Sequence, residues 1–273
     1  LEYRLGEQYA FVTFPLSPWF FGFPAKRPRR FIVAYRIGTV SFDGDPREFS
    51  DLFEKRVDIT GDSLLLDTDY GRASEMRALA EHRRNYFQDD ELDIPLEDIL
   101  PPQNLRAYFE HKEKVQTDQP GRVSSTGAYI ADLDQAVSYR HGSPFVPTLV
   151  THGKVVDFKS DRMFTSLEHL AIQGEDVFAI GDHANFPCLI AGAMATFSPR
   201  TRKRMAGNAV HLQVLGVLLL YALSCARRVD FEMDSDIGVG SSGGLEVASD
   251  VGVGVGLASS HNGAGAESSD QNP

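Results

Sequence analysis

The chain has 273 residues, a length that suits one or two domains, and its 42% hydrophobic and 10% aromatic content is ordinary for a soluble globular protein. Two cysteines, Cys188 and Cys225, exclude a disulfide framework and make a reducing, intracellular compartment the default. The net charge of −11 is concentrated at one end: Asp230 to Pro273 carries eight acidic residues and no Lys or Arg, and the 38 acids less those eight leave 30 against 27 bases, so the acidity does not exclude a nucleic-acid partner.

In chain order, Tyr9 to Phe14 alternates and is rich in β-formers, so it reads as a strand, with Pro15 and Pro18 expected to interrupt it. Arg30 to Ile37 reads as a second, largely buried strand. Residues 43–72 are acidic and turn-rich. Ser74 to Phe87 suits a helix, with Met76, Leu79 and Ala80 on one face. Pro95, Pro101 and Pro102 predict only short helices between Asp93 and Tyr108. Pro120-Gly121 is a turn signal, and Ala128 to Tyr139 reads as strand.

Thr165 and Glu168 form a capping-box pattern, which predicts a helix from there to about Gln173. Ser198-Pro199 predicts a second helix start, with Gly207 breaking that helix. A long helix, apolar on nearly all sides and therefore expected to be buried, follows from Ala209 to Ala226. Its longest apolar run, Val214 to Ala226, falls short of the roughly 20 residues that cross a bilayer. The tail from Asp230 is expected to be disordered, because Gly, Ser, Val and Ala bury too little surface to offset the ordering entropy.

Several short motifs could carry chemistry. Gly22-Phe-Pro24 is followed by Arg27-x-Arg29 at the start of the second strand. Pro147-Thr148 and Thr151-His-Gly153 precede Arg162-x-x-Thr165-x-x-Glu168-x-x-x-x-Gln173-Gly174. Gly207-Asn208-Ala209-Val210 stands before the last helix. Taken alone, Lys26 to Arg30 reads as a solvated strand end, and Arg200, Arg202, Lys203 and Arg204 read equally as a helix surface or a phosphate contact. Phe186-Pro187-Cys188 reads as a buried structural cysteine, and Asp182-His183 as loop polarity. No set of ligands has zinc spacing, so no metal site is expected. Nucleotide-binding glycine motifs and a serine nucleophile elbow are also absent from the sequence.

These motifs, in this order, resemble the late conserved blocks of DNA cytosine-5 methyltransferases: "GxPQxRxR", "RxLTxRExxxxQG" and "GNAV". The resemblance covers roughly residues 5–226. The sequence departs from the family pattern at Ala25, at Glu175-Asp176 and at His211. In the family the catalytic Pro-Cys pair and the cofactor loop lie before the first of these blocks, so the resemblance implies a C-terminal half. The implied fold is α/β. It comprises the closing strands of a Rossmann-like, S-adenosylmethionine-dependent methyltransferase domain (1–40), an inserted mixed target-recognition region (41–160), the last catalytic-domain helices (161–229) and the tail (230–273).

The resemblance also implies function. Arg27 and Arg29 would lie at the pocket that receives a flipped cytosine, and Gly207, Asn208 and Ala209 would wall the S-adenosylmethionine pocket, which needs the upstream half to be complete. Arg162 and Glu168 would be structural. The expected partner is DNA in the nucleus, with RNA left open, no membrane and no implied oligomeric state. The reading from another class is a non-catalytic, methyltransferase-like module that keeps nucleic-acid contact alone.

Overall fold

A computed structural model describes residues 5–83, 85, 87–88, 90–117, 128–135, 142–178, 192–194, 196–229 and the backbone of 255–257. Pro120-Gly121, Tyr139, Asp182-His183, Phe186-Pro187-Cys188 and the tail other than 255–257 lie outside the described residues.

The fold is mixed α/β. Strand β1 (Tyr9–Leu16) pairs antiparallel with β2 (Arg29–Arg36) over their whole length, from Tyr9 opposite Arg36 to Leu16 opposite Arg29. The strand does not stop at Pro15 as expected. β1 is an edge strand, and proline is tolerated where no neighbour needs its amide. A short β3 (Val40–Phe42) follows, and Asp45 then caps α1 (Pro46–Phe53) by accepting the Arg47 amide. Thr68 caps α2 (Asp69–Glu81) through the Gly71 amide, so this helix starts and ends earlier than the apolar pattern alone predicted. α3 (Leu96–Ile99) is one turn. α4 (Pro102–Thr117) runs for 16 residues, which corrects the expectation of short helices here. Pro102 occupies the first helical position, where the missing amide costs nothing.

β4 (Ile130–Asp132), β5 (Val155–Asp157) and β6 (Arg162–Met163) form a second antiparallel sheet. α5 (Ser166–Ala171) opens on a complete capping box between Thr165 and Glu168. α6 (Pro199–Asn208) opens on Ser198, which accepts the Thr201 amide. α7 (Leu212–Cys225) leads into β7 (Ala226–Arg228), which pairs antiparallel with β3. The described part of the tail, β8 (Val255–Leu257), pairs antiparallel with β2 at Phe31–Val33. An extended segment there can satisfy the backbone groups on the second edge of β2.

Three apolar clusters hold these elements. Phe14, Phe31, Phe49, Val214, Leu218 and Tyr221 join the first sheet to α1 and α7. Ile130, Val146, Leu149, Phe164, Ile172 and Ala206 join the second sheet to α6 and to the loops around it. Met76, Leu100, Tyr108, Tyr129, Leu133 and Phe158 join α2 and α4 to that sheet's far side.

α7 is not buried all round, as its composition led us to expect. Leu218 is fully buried, but Leu220 is 71% exposed and Leu223 55%. Taken as one stretch, Pro199–Cys225 is long and apolar enough to cross a membrane. The backbone is extended at Ala209 and His211, however, so the stretch is two helices, and α7 with 14 residues is shorter than the roughly 20 that span a bilayer.

Candidate functional site

The first motif is anchored through its backbone. Gly22 adopts a left-handed φ of 83°, closing the 3-10 turn Pro18–Phe21. The Val146 amide donates to the Pro24 carbonyl and the Lys26 amide to the Val146 carbonyl, each at 2.9 Å. From here to β2 burial alternates: Ala25, Arg27 and Phe31 are buried and Arg29 is half-buried, while Lys26, Pro28 and Arg30 are exposed. An extended segment therefore presents its side chains to two faces in turn.

Arg27 is only 8% exposed. Its Nη2 donates to the carbonyls of Gly207 and Ala209, both at 2.9 Å, and its Nη1 to the Leu149 carbonyl at 3.3 Å. The guanidinium thus ties the first motif to the Pro147-Thr148 loop and to the Gly-Asn block. It positions those segments and has little left to offer a ligand. Gly207 belongs to the same junction: a Cβ there would lie 2.5 Å from the Thr151 amide nitrogen, so α6 can reach the Thr151-His-Gly turn only as glycine.

Together these segments enclose a cavity of about 310 Å³. Arg27 and Arg29 face Gly207, Asn208, Ala209 and His211 across it, and Leu16, Phe31 and Val214 form an apolar side. All five residues singled out from the sequence, Arg27, Arg29, Gly207, Asn208 and Ala209, therefore line one cavity. Among the described residues no acidic side chain lines it. Arg29 Nη1 donates to the Pro28 carbonyl at 2.9 Å, and no carboxylate among the described residues pairs with it.

Burial, and then the charge of Arg29, lowers the Arg27 pKa to about 10, and burial lowers that of Arg29. An Arg27 pKa near 10 still leaves that guanidinium charged at neutral pH, and an arginine loses its proton only well above neutrality. Burial and the Arg27 charge together push His211 down to about 4, so its ring is neutral at pH 7. His211 packs edge-on against Phe23 at 4.4 Å between centroids, and neither ring nitrogen has a hydrogen-bond partner among the described residues. The sequence marked position 211 only as a departure. That departure places a neutral, unpaired imidazole at an arginine-lined cavity.

The Arg162 to Gly174 block is a brace. Arg162 Nη2 lies 2.5 Å from Glu168 Oε1 and donates to the Asp67 carbonyl at 3.2 Å, while Glu168 accepts the amides of Asp67 and Thr165. Both side chains thus bind the loop before α2, in keeping with the structural role the resemblance implied. At the other end Gly174 (φ 80°) accepts Gln213 Nε2 at 2.7 Å, and the Gln173 carbonyl accepts the Leu212 amide at 2.9 Å. The block therefore also fixes the start of α7 beside the cavity.

The basic run on α6 divides. Arg200 and Arg204 are exposed. Arg202 donates to the Met194 carbonyl at 2.8 Å, and Lys203 is buried 3.7 Å from Glu75. Glu75 in turn accepts the backbone amide and hydroxyl of Ser166. Sequence reasoning missed this buried group; an acid on α2 and a lysine 128 positions later give no local signal. Among the described residues no set of His, Cys, Asp or Glu could hold a metal ion. No family model matches the chain, and no curated protein matches it.

Proposed function

We propose that this chain takes part in methyl transfer to nucleic acid, as a divergent relative of the DNA cytosine-5 methyltransferases with a Rossmann-like catalytic fold. The observation that carries the reading is the cavity: Arg27, Arg29 and residues 207–209, far apart in sequence and already singled out by the motifs, line a single arginine-bearing space with no acidic side chain among its described lining. Such a space favours an anionic or carbonyl-rich ligand. Arg29, half-buried and with no carboxylate partner among the described residues, is the side chain that contacts the nucleotide, and Arg27 holds the walls in place.

S-adenosylmethionine would lie against the other wall, and when bound it would supply the methyl group. The Gly207 and Ala209 carbonyls already accept from Arg27, so Asn208, which is exposed, and His211 are the polar side chains left for a cofactor there, beside apolar Phe31 and Val214.

The second reading is a nucleic-acid-binding module without its own chemistry. Cys225 lies at the end of α7 and does not line the cavity, so the thiolate that the enzyme reading needs is not Cys225.

Fluorescence anisotropy with a duplex DNA oligonucleotide tests the shared claim. Arg29→Ala should weaken binding roughly 10- to 100-fold, the equivalent of one charge-assisted contact. Arg30→Ala, on the exposed face, serves as the control. Equal affinity of Arg29→Ala and parent would refute both readings. A labelled methyl group transferred from S-adenosylmethionine to DNA would decide for the enzyme.

A further inference from the structure

The exposed face of the same segment carries a second feature. Trp19 lies on the 3-10 turn Pro18–Phe21, with the Phe145 ring 5.6 Å and the Phe20 ring 5.8 Å from it, centroid to centroid. Lys26 Nζ sits 5.3 Å from the Trp19 centroid and 4.5 Å from that of Phe145. The Arg56 guanidinium sits 4.6 Å from Trp19 and 5.5 Å from Phe20. Three separate stretches of chain meet here, and they are tied through the backbone. The Lys55 amide donates to the Phe20 carbonyl at 2.7 Å, and Thr148 Oγ1 donates to the Lys26 carbonyl at 3.0 Å.

Lys26 and Arg56 are both exposed, and among the described residues neither forms an ion pair. Glu54 and Asp58 flank Arg56 in sequence, yet neither pairs with it. Aromatic faces differ from carboxylates in what they do to a cation. Both restrict its side chain, but a ring leaves the charge whole and its N–H groups free to donate. Long basic side chains lose up to about 2 kcal/mol of rotamer freedom when ordered. Here much of that cost falls on folding, so less is left for binding. Two cations ordered but not neutralised make a prepared site for anionic oxygens.

We propose that Lys26 and Arg56, held against Trp19, Phe20 and Phe145, contact the phosphate backbone of the nucleic acid, on the opposite face of residues 25–31 from the Arg29 cavity. The proposal rests on the nucleic-acid reading above. Arg29 then deals with one nucleotide, while Lys26 and Arg56 hold its neighbours without regard to sequence. The two sets differ in signature. Phosphate contacts show mainly in the salt dependence of affinity, since each releases condensed counterions.

The test uses the full chain, a duplex DNA oligonucleotide and a salt series. Each phosphate contact contributes about 0.9 to the slope of log affinity against log salt, so the Lys26→Gln/Arg56→Gln double variant should flatten the slope by nearly two. Arg56→Lys should restore the share of Arg56. Trp19 is the chain's only tryptophan, so its emission reports on this surface directly and should change when DNA binds. Lys26→Gln alone, flattening the slope by about one, serves if the double variant does not fold.

An unchanged slope in variants that bind and fold would overturn the proposal and leave the Arg29 reading intact. Failure of the parent to bind DNA at any salt would overturn both. If phosphatidylserine vesicles, and not DNA, changed the Trp19 emission in a way these substitutions abolish, the site would belong to an acidic membrane surface and the proposal would fall.

Discussion

His211 shows how one residue can be legible as a departure and illegible as chemistry. It is 3% exposed, its pKa lies near 4, and an unfolded chain would return it to about 6.5. The sign follows directly. Below pH 6.5 the unfolded chain takes up a proton that the folded chain refuses until about pH 4, so this residue's contribution to stability is full above 6.5 and declines as pH falls. By pH 5 the loss should be about 2 kcal/mol. His169, fully buried with both ring nitrogens unpaired among the described residues, is shifted the same way, and buried Glu168 and Asp132, raised by burial, oppose it. The clean measurement is therefore a difference. His211→Phe keeps an aromatic contact with Phe23, and its melting temperature should fall less than the parent's between pH 7 and pH 5. Parallel pH profiles would show that His211 is not held neutral. At the same scale, sequence reasoning found Arg27 and Arg29 but could not separate their roles. Nothing local says that Arg27 faces the carbonyls of Leu149, Gly207 and Ala209 while Arg29 has no carboxylate partner among the described residues.

Elements were legible where caps wrote them into the sequence and misread where a rule had two meanings. Thr165 with Glu168, and Ser198 with Pro199, gave helix starts that the structure shows at the same residues. Pro101-Pro102 was read as a breaker and is a beginning. α7 gave the least information, because a helix apolar on nearly every side has no pattern to say which face packs. Its inner face, Val214, Leu218, Tyr221 and Ala222, meets the first sheet. Leu212, Gly216, Leu220 and Leu223 share another side, where Leu220 and Leu223 stay exposed and a Cβ on Gly216 would meet nothing. The two faces should respond oppositely to substitution. Leu218→Ala should cost about 2–5 kcal/mol, as a cavity in a packed core does. Leu220→Ser with Leu223→Ser should leave chemical denaturation within about 0.5 kcal/mol of the parent per site and reduce self-association seen by analytical ultracentrifugation. If the serine pair destabilised the chain as much as Leu218→Ala, α7 would be buried in solution on both sides.

At the scale of the whole molecule, charge is divided unevenly along the chain. Residues 1–229 hold the three apolar clusters and carry nearly balanced charge, whereas the tail carries eight acids and no base. The described part of that tail, β8, adds three residues to the edge of β2, at Phe31–Val33, directly after Arg29. Truncation after Val229 therefore changes two things of unequal size. It removes a short strand whose backbone bonds are worth about 0.5–1.5 kcal/mol each before the entropy of ordering it is returned. It also removes all eight of those negative charges from a chain proposed to meet phosphates. The melting temperature should change little. Affinity for duplex DNA should rise, and the gain should shrink as salt is increased, because at 0.1 M salt charges more than about 10 Å apart are largely screened. Anisotropy at low and moderate salt, with parent and truncated chain side by side, reads this directly. Weaker binding by the truncated chain would show that the tail supports the DNA-binding surface, with the β2 edge beside Arg29 the first place to look for that support.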